Sequence, residues 1–337
     1  MRRPLIAVLT AAVLCSPLAT LTAHADEVRS RMIRFGYGLN ENSNQGRAAK
    51  LFAEEVAKAS AGKLKMRTFA AASLGSDDQM QSALIGGAQE MMVGSTATLV
   101  GITKEMAVWD TPFLFTREQQ ADAVLDGPVG RQVMDKLEEK GLVGLVYWEN
   151  GFRNMTNNVR PITKLEDFSG IKLRVMQNPV FLDTFKQMGA NAVPLPFSEL
   201  FTALETKAVD GQENPYNTIL SSKFYEVQKY LTVTNHVYSP WIVTASKRWW
   251  DGLSQTEQKI LLDAAKTARD FERQDTRAEA SKALALLKDS GMQVNEISAD
   301  EVQRMREQAK PAIQKVIDTV GQPLFDQVQA ELAKTSN

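Results

Sequence analysis

The chain has 337 residues, enough for two domains with separate cores. Its 39 Lys and Arg stand against 40 Asp and Glu, a formal charge of −1, and the basic residues are scattered without the stripe or interleaved aromatics that nucleic acid requires. One cysteine and two histidines leave no Cys-ligated metal, and they argue against a Ser-His-Asp site unless an unusual base substitutes for histidine.

The N-terminus reads as a secretory signal: Arg2 and Arg3, an apolar run from Leu5 to Leu14, then Ala23-His24-Ala25. Cleavage after Ala25 would remove His24 and Cys15, leave His236 as the sole histidine, and bring the charge to −3. Leu14 before Cys15 is not the small residue of a lipoprotein anchor. The apolar run is too short to span a bilayer.

Met32–Gly36 reads as a first strand, with Gly36-Tyr37-Gly38 as the loop at its end. Asn44 is the expected cap of a helix with Ala48, Leu51, Phe52 and Val56 on one face, closed by Gly62. Leu64, Met66 and Thr68 alternate as a second strand. Ser76 with Gln79 is a capping-box pattern, and Glu90–Val93 gives a third strand ending at Gly94-Ser95. This β-α-β-α-β order begins a doubly wound domain.

A second strand-helix series starts at LVGLVYW near Leu142. Ile171, Leu173 and Val175 then alternate with Lys172 and Arg174 as a short strand. Asn178-Pro179 supplies a cap and a first-turn proline, and Gly189 a left-handed stop. A further helix is expected from Ser198 as cap to about Thr206, followed by a turn at Asp210-Gly211. Arg174 therefore stands at a strand end just before a helix N-terminus, where a carboxylate would be captured. Leu231–Ala245 alternates enough for strands. Ser254 with Glu257 is another capping box, opening a helix to about Ser290, and Ser298 with Glu301 opens one that Pro311 should kink or break.

The stretch LRVMQNPVFLDTFKQMGANAVPLPFSELFTALETKAVDGQENP closely resembles the signature region of the DctP family, the substrate-binding proteins of TRAP (tripartite ATP-independent periplasmic) transporters. AASLGSDDQMQSALIGGAQEMMVGS, AVWDTPFLF, NGFRNMTNNVRPI and KFYEVQKYLTVTNHVYSPWIV look like the family's other blocks, in its order. The resemblance runs from about Arg34 to the C-terminus. It implies an α/β, two-lobed periplasmic binding protein fold: open α/β sheets, a multi-strand hinge, and a long helix packed across both lobes. The expected boundaries are 1–25 for the signal peptide, 26–150 with about 240–275 for lobe 1, and 151–239 with about 276–337 for lobe 2.

The resemblance also implies the ligand-binding residues. Arg153, after the LVGLVYW strand, would join Arg174 as a second guanidinium able to match a carboxylate bidentately. Asn214 would bridge a carboxylate and a hydroxyl, Phe197 would wall the pocket, and Gln177 is a further polar candidate. Glu213 reads as structural, since a second negative charge would repel the ligand. From lobe 1, Tyr37, Asp77, Ser95 and Thr98 stand at strand ends or helix starts facing the expected cleft. By position near the hinge, Trp241 and Tyr238 either flank an apolar part of the ligand or belong to the core, the commoner place for aromatic residues. Sialic-acid-binding relatives have an acidic residue and an arginine where this chain has Ser95 and Thr98, which points away from sialic acid.

The expected function is capture of an organic acid, a sugar acid or other hydroxylated carboxylate, and its delivery to the integral membrane subunits of an ion-gradient-driven TRAP transporter. A C4-dicarboxylate is the alternative ligand. A secreted two-domain enzyme using Asp77, Glu213 and the arginines is the alternative class, without a visible nucleophile or phosphate loop. No catalytic residue, metal or cofactor is expected, and the protein reads as a periplasmic monomer.

Overall fold

A computed structural model describes residues 27–335. The expected leader, with Cys15, lies outside the described residues. The first strand, β1 (Arg31–Tyr37), buries Ile33, Phe35 and Tyr37 by alternation. It leads to α1 (Asn44–Ala59), whose cap is Ser43 rather than Asn44; the Ser43 hydroxyl accepts from Gly46 N at 3.1 Å. Asn44 is already helical, and its amide donates instead to Thr276 Oγ1 at 2.8 Å. Then come β2 (Leu64–Phe69), α2 (Asp77–Ile85) with the expected Ser76–Gln79 capping box, and β3 (Met91–Ser95). Two short helices, α3 (Glu118–Leu125) and α4 (Pro128–Asp135), precede the long strand β4 (Leu142–Phe152).

The chain continues through β5 (Asn154–Asn157), β6 (Lys172–Val175), α5 (Pro179–Gln187) and β7 (Asn191–Pro194). Asn178 caps α5 as expected, its Oδ1 accepting from Val180 N at 2.7 Å. Next come α6 (Leu200–Glu205), β8 (Gly211–Asn214), α7 (Tyr216–Ser221) and β9 (Tyr230–Val233). Ser198 is not a cap: it lies inside a 3-10 turn, Phe197–Glu199, because Pro194 and Pro196 keep the chain extended until the turn begins. Last are β10 (Tyr238–Ser246), α8 (Lys247–Trp250), α9 (Gln255–Asp289), β11 (Gln293–Glu296), α10 (Ala299–Val320) and α11 (Gln322–Lys334).

Two sheets result. The lobe 1 sheet has the order β2-β1-β3-β10-β4, with β1 parallel to both neighbours and β10 antiparallel to β3 and β4. Met92 and Ile242 face one core, Val93 and Val243 the other, so helices cover both faces. The lobe 2 sheet is mixed, in the order β11-β9-β5-β8-β6-β7.

The chain passes from β4 to β5 through Arg153 alone, and from β9 back to β10 through residues 234–237. These two crossings are bonded to each other: Arg153 N donates to Val237 O at 2.9 Å, and the Thr234 and Asn235 amides donate to Asn154 Oδ1. The third tie is α9, 35 residues opened by the Ser254–Glu257 box, which packs on α1 and β4 in lobe 1 and on α7 in lobe 2.

Pro311 does not break α10, which runs 22 residues through it. The buried stripe of Met305, Ala309, Ala312 and Val316 packs on α5, which outweighs the one hydrogen bond a proline removes. The last helix, α11, packs on α3 and α4 in lobe 1, where the expected boundaries put residues 276–337 in lobe 2. Among the described residues no helix is long and apolar enough to cross a membrane, and no group of His, Cys, Asp and Glu could hold a metal ion.

Candidate functional site

A cavity of about 660 Å³, counting its open mouth, lies between the lobes at the ends of β3 and β6. Such crevices at strand ends are where open α/β layers bind ligands. The lobes meet around it. Thr218 Oγ1 on α7 donates to Asn150 Oδ1 on β4 at 3.0 Å, Asn40 Nδ2 donates to Ser221 O at 2.7 Å, and Asn178 Nδ2 donates to Ala97 O and Asp110 Oδ2, both at 2.8 Å.

Arg174 comes from the end of β6 and is almost fully buried. Its Nε donates to Leu195 O at 2.9 Å, while Nη1 is buried without a partner. Burial lowers its pKa to about 10, with Arg153 pushing the same way and Glu213 and Asp77 opposing, so it remains protonated at neutral pH. A buried cationic donor with no acceptor is an incomplete pair, and an anionic oxygen would complete it.

The other arginine behaves differently. Arg153 lies fully buried in the hinge and does not line the cavity. Its Nε and Nη2 clamp the Glu213 carboxylate at 2.5 and 2.9 Å, and Nη2 also reaches Asn214 Oδ1 at 3.1 Å. Glu213 in turn contacts His236 Nε2 at 3.0 Å. Burial would raise Glu213, but Arg153 and His236 outweigh it and hold its carboxyl below the usual range. Burial keeps His236 below its ordinary value. The expected second guanidinium of the cleft is therefore neutralised inside the hinge, and Glu213 is the structural partner that does it.

Asn214 lines the cavity with its amide largely engaged: Nδ2 donates to Gln212 Oε1 at 2.5 Å and Oδ1 accepts from Arg153. One amide hydrogen and one lone pair are left. Phe197 and Gln177 also line it, Phe197 from the 3-10 turn with its ring 6.0 Å from that of Phe224.

Asp77, Ser95, Thr98 and Trp241 form the lobe 1 wall. Asp77 Oδ2 accepts from Ser95 N at 2.9 Å. Thr98 Oγ1 donates to Ser95 O and accepts from Gln81 Nε2 at 2.6 Å. Trp241 on β10 is fixed between Ser95 of β3 and Trp148 of β4. Tyr37 is not in the wall. It ends β1 as a buried core residue against Phe35, and Gly38 and Leu39 line the cavity instead. Tyr238 is also core, between Phe115 and Phe152, its hydroxyl donating to Glu149.

Gln45, Asn150 and Thr218 line the cavity without having been legible as site residues. Gln45 Oε1 accepts from Leu39 N at 3.0 Å, and its Nε2 has no partner among the described residues. The available signals were a polar run at a helix start, Ser43-Asn44-Gln45, and the break from apolar to polar at Glu149-Asn150 in β4.

A family model described as "Bacterial extracellular solute-binding protein, family 7" (DctP) matches residues 35–319. The chain is 37% identical over 265 residues to the 2,3-diketo-L-gulonate-binding periplasmic protein of Escherichia coli, covering 79% of this chain and 81% of that one. The sugar acid binding protein of Advenella mimigardefordensis, solved with galactonate, has a TM-score of 0.90 at 49% identity, over 92% of this chain and 100% of that one. A TRAP periplasmic solute-binding protein of a Polaromonas species, solved with D-erythronate, has a TM-score of 0.86 at 37% identity, over 89% and 98%.

Proposed function

This chain belongs to family 7 of the bacterial extracellular solute-binding proteins, the DctP family of TRAP transporter receptors, and from that premise we propose that it captures a hydroxylated monocarboxylate of the aldonic, or sugar-acid, type. The observation that carries the reading is the state of the two arginines. Each arginine buries an Nη1 without a partner, but only Arg174 lines the cavity, and it has no carboxylate beside it, whereas the charge of Arg153 is taken by Glu213. One free guanidinium matches one carboxylate. Asp77, Asn150, Thr218, Gln45 and Thr98 then offer acceptors and donors suited to hydroxyls. Relatives solved with galactonate and D-erythronate support the same class.

Arg174 fixes the orientation of the acid, and closure of the lobes removes water, strengthening the pair as the dielectric falls. The bound acid leaves unchanged: the family's members are transport binding proteins, and the cavity's polar groups are arranged for hydrogen bonding. The protein works in the periplasm after loss of its leader and hands its ligand to integral membrane subunits driven by an ion gradient.

Titration calorimetry with galactonate, D-erythronate and succinate tests the reading. The expected result is tight binding of at least one aldonate, weak binding of succinate, and no product on prolonged incubation. Preferential binding of succinate would overturn the ligand class, and turnover would overturn the role.

A further inference from the structure

We propose that Asp77 acts as a charge filter that restricts this cavity to acids with a single carboxylate, turning away the dicarboxylate of the same chain length; this rests on the sugar-acid reading above. Asp77 leans from the first turn of α2 into the lobe 1 wall, across the cavity from Arg174. Its Oδ2 is held by Ser95 N at 2.9 Å, while Oδ1 has no hydrogen-bond partner among the described residues. Neither Asp77 nor its neighbour Asp78 is ion-paired to any Lys, Arg or His among the described residues.

The lean is built into the fold. At Gly94 of β3 a Cβ would stand 2.9 Å from Asp77 Oδ2 and 3.0 Å from its Cγ, so β3 has a glycine where the carboxyl group comes in. The carboxyl is thus fixed in the cavity wall beside Gly38, with Oδ1 left to accept from a ligand.

The charge count then decides. The cavity holds one cation, Arg174, against Asp77 and Asp78. A monocarboxylate occupies Arg174 and presents hydroxyls to the opposite wall. A hydroxyl can donate to Asp77 Oδ1, but an ionised carboxylate has nothing to donate. Two unit charges about 6 Å apart at an effective dielectric near 20 repel enough to weaken binding by roughly 100-fold.

The filter should depend on pH. Burial raises the Asp77 carboxyl to about 6; the Ser95 amide opposes this, Asp78 adds to it, and Arg174 opposes it. Asp78 from α2 and Arg174 from β6 are the titratable groups that face it. The cavity residues of the packed strands and their ends, Gly38, Leu39, Ser95 and Trp241, carry none. Asp77 is thus ionised at pH 8 and neutral at pH 5, where it no longer repels a second carboxylate.

Calorimetry on the purified protein with two matched pairs, galactonate with galactarate and D-erythronate with meso-tartrate, tests the proposal. Wild type should favour the aldonate of its preferred length by roughly 100-fold at pH 8, and by less at pH 5. Asp77→Asn keeps an acceptor for Ser95 N. It should weaken aldonate binding by no more than about tenfold, bring the ratio below about tenfold, and remove its pH dependence. An unchanged ratio in Asp77→Asn, with tight aldonate binding in wild type, overturns the filter alone. A wild type that binds neither aldonate, or favours the dicarboxylates, overturns the sugar-acid reading and the filter with it.

Discussion

Arg153 and Glu213 form a closed pair beneath the cavity: Nε stands 2.5 Å from Oε2 and Nη2 2.9 Å from Oε1, and neither side chain is exposed. The pair joins the first hinge crossing to β8, and His236 of the second crossing contacts the same carboxylate. The two hinge crossings therefore meet at a charged, desolvated knot.

That geometry predicts a stability phenotype at Arg153. Arg153→Ala leaves Glu213 buried without its cation, and losing one partner of such a pair costs about 3–5 kcal/mol. Arg153→Met combined with Glu213→Leu removes both charges and should cost much less than the two single changes added together. Urea unfolding of the four proteins measures this cycle. Additive losses would mean that the two side chains act independently.

Glu272 on α9 predicts a pH dependence. Its carboxyl is raised to about 8, first by burial and also by Glu149, while it accepts from Glu149 N and Thr276 Oγ1, each at 2.7 Å. A carboxyl near 4.3 when unfolded and near 8 when folded binds more protons in the native state between those values. Its contribution is full below about 4.3 and is lost as pH rises toward 8. Glu272→Gln mimics the neutral acid, and the Thr276 hydroxyl, which donates to Glu272 Oε1, can turn to accept from the new amide. Thermal melts should show Glu272→Gln gaining on wild type steadily from pH 5 to pH 8. Parallel melting curves across that range would assign the alkaline loss elsewhere.

What the sequence made legible was local. The boxes at Ser76–Gln79 and Ser254–Glu257 and the Asn178-Pro179 start need only side chains three residues apart or fewer, and all formed as expected. Arg174 was legible because a strand end followed by a helix start is also a local pattern. Arg153 looked equivalent, being an arginine at a strand end. What separates the two is Glu213, sixty positions away, which no local pattern could pair with one arginine rather than the other. Tyr37 failed by one residue: β1 extends to it, and in a strand that shift turns a side chain from the cavity into the core. Gln45, Asn150 and Thr218 become cavity walls only once two lobes meet.

Gly94→Ala should weaken ligand binding through Asp77. Besides the Asp77 contacts, the new Cβ would lie 2.7 Å from the Met92 methyl, which can swing aside. The carboxyl cannot do so without losing its bond from Ser95 N. An aldonate should bind about tenfold more weakly, as expected for one lost charge-assisted hydrogen bond. In an Asp77→Asn background the same change should cost little, because the interaction is already weakened. Equal costs in both backgrounds would show that the glycine acts by another route.

Arg174 should show the opposite phenotype to Arg153. Its guanidinium makes one hydrogen bond, to Leu195 O, and buries a nitrogen with nothing to bond, so the ligand-free protein gains little from holding it. Arg174→Lys keeps the charge but loses the planar fork. Losing one charge-assisted hydrogen bond of about 1.5–3 kcal/mol should weaken binding roughly 10- to 150-fold. Arg174→Ala should weaken it further, because a desolvated carboxylate would have no cation. The melting temperature of the ligand-free protein should hold or rise in both variants, while ligand-induced stabilisation shrinks with the affinity. Calorimetry and melting curves on the same samples decide between roles. A Lys variant that binds like wild type but melts early would make Arg174 a structural residue and leave the cavity without its carboxylate anchor.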